Sequence, residues 1–383
     1  MKSLIALLIV SLPTISSGAS PAEGKISAAR RAIEKSPKSP AAYNALSMAL
    51  AFRARETGDP IYYTQAEEQL AKALEIDPAN LESVRTQIWL SLGRHEFKRA
   101  LVQATALNKK VPDDLLTYAF LVDANAELGN YKDAETASDW LLKLRPGTIP
   151  GLTRAAYLRE LFGDIEGALD FMGKAFQRTP PNETEDLAWI LAHVSHLQLL
   201  LNNVPAAEEA AQESLRLFPE YHYGLASLAK VRTQQGKKDE AAGLYARRYK
   251  VASHPENLFD WARALHEAGQ KSQAQELFAK FEPASRTEMV GTDNSNRELI
   301  FYYTDIASNP VEALKIARLE ASERQDVFTL DALAWALCAN GQYEEANRQI
   351  KKAVNVGVRE PQILRHAAEI EKRAASSTQK LHK

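Results

Sequence analysis

Nine alanines constrain any fold this chain can adopt. Ala66, Ala100, Ala134, Ala168, Ala207, Ala241, Ala274, Ala313 and Ala346 follow one another at steps of 34, 34, 34, 39, 34, 33, 39 and 33 residues. Pro78, Pro112, Pro146 and Pro180 keep the 34-residue step, and Pro219 follows after 39. Gly129, Gly163, Gly236, Gly269 and Gly341 each precede one of the alanines by five residues. Each mark has a physical role. Glycine closes a helix where the backbone turns left-handed, which costs least without a Cβ. Alanine early in the next helix lets two helices approach closely. Proline ends that second helix, because it lacks an N–H and disfavours helix in the residue before it. Between the marks the apolar residues fall at helical spacing: Leu115, Tyr118, Leu121 and Val122 before Gly129, then Trp140, Leu141 and Leu144 after Ala134.

A unit of two helices in about 34 residues, carried by "LGNYKDAETASDWLLKLRP", "HEFKRALVQATALNKKVP" and "ALAWALCANGQYEEANRQIKKAV", resembles the tetratricopeptide repeat. The chain as a whole resembles exported bacterial proteins of that kind. The resemblance implies an all-α fold, a right-handed superhelical solenoid of antiparallel helix pairs. It divides the chain into a signal peptide (1–19), an N-terminal capping helix (20–39), about nine repeats (40–360), and a C-terminal capping helix with a frayed tail (361–383). Irregular joins are expected near 54–62, 181–187 and 282–298, and Asn202 and Ser308 stand where the turn glycine should be. The two 39-residue steps mark an expected change of pitch or a hinge.

The first residues differ from the rest. Lys2 precedes an apolar run from Leu4 to Leu12, then Pro13 and the small residues Ser17, Gly18 and Ala19. That pattern fits a cleaved export signal and is too short to span a bilayer. Localisation is therefore expected to be periplasmic or secreted, with no stable membrane span after signal removal. A single cysteine, Cys338, excludes an intrachain disulfide, so packing alone must hold the fold. The 47 basic and 49 acidic residues are interspersed, for a net charge of −2, which argues against nucleic acid as a partner.

Any site must then come from the repeat surface. In the family that the chain resembles, first helices line a concave groove at positions thirteen, ten, six and three before the turn glycine. That register implies a partner-binding surface of Arg85, Trp89, Asp123, Tyr157, Trp189, His196, Tyr223, Lys230, Phe259, Arg263, Asp331 and Trp335. Aromatic rings beside charges suit a protein or peptide partner, although rings at helical spacing also serve as packing between repeats. The family's C-terminal carboxylate clamp needs paired Lys and Asn at these positions, and no Asn stands there.

Catalytic motifs are missing: the sequence has no GxSxG elbow, phosphate loop, HExxH or dinucleotide fingerprint. Cys338, inside "ALAWALCANGQ", reads as a small apolar filler. No cofactor, metal or catalytic residue is expected. The reading is a non-catalytic interaction scaffold. A self-assembling homo-oligomer is the alternative, and a metal-dependent accessory protein built on His193, His196 and His222 is a weaker third.

Overall fold

A computed structural model describes residues 20–291 and 293–381. The export-signal segment 1–19 lies outside the described residues. Twenty α-helices and no strand occur among them. A single helix, α1 (Pro21–Lys35), opens the array and α20 (Pro361–Leu381) closes it. Between them stand nine antiparallel pairs, each a first and a second helix. The first helices are α2 (Pro40–Thr57), α4 (Leu81–Gly93), α6 (Leu115–Glu127), α8 (Ile149–Leu161), α10 (Thr184–Leu200), α12 (His222–Gln234), α14 (Pro255–Glu267), α16 (Asn296–Phe301) and α18 (Val327–Ala339). The second helices are α3 (Ile61–Ile76), α5 (Phe97–Lys110), α7 (Tyr131–Leu144), α9 (Ile165–Arg178), α11 (Val204–Leu217), α13 (Lys238–Val251), α15 (Lys271–Glu288), α17 (Pro310–Glu323) and α19 (Tyr343–Val354). Each helix packs on its neighbours in chain order, the pattern of a solenoid.

The three sequence marks act as expected. All nine alanines are 0–1% exposed. Where α10 crosses α11 the approach is close enough for Ser195 Oγ to donate to the Ala207 carbonyl at 2.7 Å. The turn residue of each unit is left-handed, with φ of +80° at Gly129 and +57° and +52° at the substitutes Asn202 and Ser308. The next N–H then reaches back five residues, as Asn130 N does to Asn125 O at 2.8 Å, closing a Schellman cap. Before the prolines, Asp77, Val111, Arg145 and Phe218 leave the helix in extended or near-extended backbone.

The irregular joins differ from expectation. Inserted residues chiefly lengthen helices: α2 and α10 have 18 and 17 residues, against 13 in the first helices α4, α6 and α8. The helix α15 has 18, against 14 in the second helices α5, α7 and α9, with a longer join (289–295) after it. Helix satisfies an inserted backbone internally, whereas a longer loop would need other partners. The helix α15 runs through Pro283 to Glu288, and a π-turn (Tyr302–Ile306) extends the short α16. At 181–187, where a change of pitch or a hinge was expected, the extra turn of α10 carries Glu185 and Asp186 to Arg55 of α2, at 3.0 and 3.2 Å, and forms a strut. The backbone of α20 is helical to Leu381, and 382–383, the end of the expected tail, lie outside the described residues.

That strut belongs to a seam. The superhelix winds tightly enough for successive turns to touch, at separations of 158, 167, 196 and 225 residues, or about five to seven 34-residue units. Lys25 meets Glu183 at 2.7 Å, and His222 Nε2 donates to the Arg55 carbonyl at 2.9 Å. Val327 N donates to the Tyr131 hydroxyl at 2.9 Å, and Lys98 meets Glu323 at 2.9 Å. Gln325 N lies 3.4 Å from Leu128 O.

Candidate functional site: the cavity on the inner wall

The winding turns the concave face of the C-terminal repeats into the wall of a cavity of about 480 Å³. Side chains from α8, α10, α12, α13, α14, α16, α18 and the start of α20 line it. The register is systematic. Trp189, Ala192, His193 and His196 on α10 lie thirteen, ten, nine and six residues before the turn residue; Tyr223, Ala226, Ser227 and Lys230 on α12 repeat it, as do Glu256, Phe259, Asp260 and Arg263 on α14. This is the i, i+3, i+4, i+7 face of a helix. The position nine before the turn lines the cavity in place of the expected one three before it.

Of the twelve expected groove residues, Trp189, His196, Tyr223, Lys230, Phe259, Arg263 and Asp331 line this cavity. Phe259 is 3% and Asp331 3% exposed, so only Tyr223, at 40%, presents a large free surface among these three. Asp331 is held by His366 Nδ1 at 2.8 Å. The other five lie elsewhere and join neighbouring repeats. Trp89 packs on Phe52 at 5.2 Å, and Arg85 binds Asp114, which also caps α6. Asp123 accepts from Arg154 at 2.5 Å, and the Tyr157 hydroxyl meets Glu127 at 3.1 Å. Trp335 stacks on His366 at 4.1 Å and donates to Asp305 at 2.7 Å. For Trp89 and Trp335, packing between repeats is the role the structure shows. Cys338 is 1% exposed and its thiol is pushed up by burial, as a filler residue should be.

Charges on the wall compensate one another. Arg248 Nη1 binds Asp260 at 2.7 Å and Nη2 lies 3.4 Å from Glu256, while Arg263 reaches Asp260 at 3.2 Å. Burial would raise the Glu256 carboxyl, but the Arg248 and Arg297 guanidinia bring it down to about 2. Arg263 lies over the Phe259 ring and Arg297 over Phe328, at 5.6 and 5.7 Å. Arg297, Glu298, Arg248, Asp260 and Glu360 belong to no expected set. Asp260 was legible as the helical neighbour of Glu256 and Arg263, whereas Arg297 and Glu298 sit in the irregular unit and Glu360 in a join, where no repeat register exists.

The histidines part company. His222 is buried in the seam at Arg55, away from His193 and His196, so the cluster of three does not form. Two glutamates take its place. His193 Nε2 lies 2.6 Å from Glu160, and His196 Nε2 lies 3.1 Å from Glu160 and 2.8 Å from Glu360. Burial alone would lower the His196 pKa, but its bonds to Glu160 and Glu360 bring it to about 9. Burial works in the opposite sense on Glu160, and the two imidazoles hold that carboxyl far below its ordinary range.

A helical-repeat solenoid with a cavity on its inner wall defines a class, and solved structures place the chain in it. It has the fold of tetratricopeptide-type repeat proteins. The human IFIT1 dimer with PPP-AAAA aligns with a TM-score of 0.52 at 12% identity, over 89% of this chain and 96% of that one. A chain of the APC/C hetero-tetramer Cut9–Hcn1 aligns at 0.50 and 13% identity over 88% of this chain, which spans 56% of that longer protein. PilW, a widely conserved type IV pilus biogenesis factor, aligns at 0.45 and 13% identity over 52% of this chain and 91% of that one. No protein-family model and no curated protein matches the sequence. No helix among the described residues is long and apolar enough to cross a membrane.

Proposed function

We propose that this chain is a non-catalytic scaffold that takes a peptide segment of a partner protein into the inner cavity, and that it acts outside the cytoplasm. The observation carrying the reading is the wall itself: exposed Tyr223 and half-buried Trp189 and Phe328, backed by the buried rings of Phe259 and Phe301, interleaved with both signs of charge on successive first helices. Rings supply area at low entropic cost, and Arg and Lys supply directional donors. A volume near 480 Å³ falls in the range of about 300–1,000 Å³ typical of ligand pockets, so it admits a short stretch of chain and not a folded domain. The basic amino-terminal residue and apolar run of the sequence support action outside the cytoplasm.

Site-specific photo-cross-linking in the native host tests the reading. A photoreactive residue at Ala226, on the cavity wall, should yield a discrete adduct containing a peptide of another protein. The same group at Thr136, on the exposed face of α7, should not. Equal adduct patterns from both positions would defeat the cavity reading, and adducts only with the chain itself would move it to self-association.

A further inference from the structure

Where α8, α10 and the join before α20 meet, three side chains from distant parts of the chain converge. Ligand atoms of Glu160, His196 and Glu360 lie within 4.8 Å of one another. Their side chains are 9%, 21% and 20% exposed. Two carboxylates held this close in a largely buried spot repel unless a cation stands between them. His196 Nε2 faces both, at 3.1 and 2.8 Å, and His193 Nε2 lies 2.6 Å from Glu160, so protons on these two imidazoles are what can offset the carboxylates in the absence of a metal ion.

We propose that this cluster is a binding site for a divalent transition-metal ion of the Zn2+ type. The ligands are His196 Nε2, Glu160 and Glu360. With a neutral imidazole the set carries two negative charges, which a divalent ion neutralises. The mixed nitrogen and oxygen donors suit Zn2+ or Mn2+, whereas Mg2+ and Ca2+ favour oxygen alone. Tetrahedral ligands at about 2.0–2.1 Å from zinc stand about 3.3 Å apart, so the two spacings from His196 need only widen by a few tenths of an ångström. The two carboxylates, which lie within 4.8 Å of one another, need to settle at about that distance. His193, at 2.6 Å from the other Glu160 oxygen, is the outer partner that orients that carboxylate. Trp189 packs against His193 at 5.6 Å and limits its rotation. All three ligands line the cavity, which gives the ion a path of entry and leaves room for a water or a ligand atom as the fourth donor. Lys230 shares this wall from α12 and opposes the charge, but it is exposed and is free to swing away. The site depends on neither the identity nor the presence of a peptide in the cavity.

The test uses the full chain without an affinity tag, stripped with chelator and titrated with Zn2+ alone. Calorimetry and metal analysis after desalting should give one Zn2+ per chain. Glu360→Gln, in the join between α19 and α20, should bind at least about 10-fold more weakly with an unchanged helical circular dichroism spectrum. His196→Gln should show the same loss, and His193→Gln about 10-fold. Tenfold excess Mg2+ should leave the bound Zn2+ in place. Zn2+ binding of equal strength in Glu360→Gln, His196→Gln and the natural chain would overturn the proposal, as would the lack of stoichiometric binding in the natural chain.

Discussion

Gly129 and Gly236 occupy the same place in their repeats, with φ of +80° and +76°, yet their surroundings differ. A Cβ on Gly129 would stand 2.5 Å from the Gln325 carbonyl across the seam, while one on Gly236 would meet nothing within 4 Å. Gly236→Ala should therefore cost only the left-handed backbone penalty, about 1–2 kcal/mol. Gly129→Ala should cost more, because the two superhelical turns must part there. Urea unfolding of the two variants checks this, and equal losses would show that the seam does not bear on stability. The sequence announced both glycines with one signal. It carried nothing to separate them, since the second reason for Gly129 lies 196 residues away.

At the scale of the helix, the role the nine alanines share is closeness. Ala207 is 0% exposed, and its carbonyl accepts from Ser195 across the α10–α11 crossing. Ala207→Leu should destabilise by about 1–3 kcal/mol through overpacking. Thr136→Leu, on an exposed face, should fall within about 0.5 kcal/mol of the natural chain. Thermal melts of both variants decide the matter. Helix existence, turn position and the buried alanines were all legible, because each depends on neighbours within about one repeat. The lengthening of α2, α10 and α15 was not. An insertion between periodic segments looks the same in sequence whether it extends a loop or a helix, and the choice depends on what the added turn touches. For α10 it touches Arg55 of α2.

The seam governs the molecule as a whole, and it should leave a signature in pH. Burial holds the His222 imidazole down at about 4, so it remains neutral in the fold while the unfolded chain takes up a proton below about 6.5. Stability should fall as pH drops from 6.5 towards 4, by about 3 kcal/mol at most. His222→Gln should flatten that decline. Glu127 behaves in the other sense. Burial and the nearby Asp326 raise its carboxyl to about 7, against the pull of Arg324. Its contribution is complete below the ordinary carboxylate range and is lost as pH rises through 7, so Glu127→Gln should gain stability relative to the natural chain above pH 7. Melting temperatures of the three proteins from pH 4 to 8 test both signs. If neither variant changes the profile, the seam contacts do not form in solution.

The sequence by itself determined an all-α solenoid of helix pairs, its phase and its turn residues. Those follow from interactions that recur every repeat, so a periodic signal records them. Only the tertiary structure decided how tightly the solenoid winds. That winding placed His222 in the seam at Arg55, apart from His193 and His196. It also brought Glu360 to His196 across 164 residues, a contact between turns of the superhelix for which no local pattern exists.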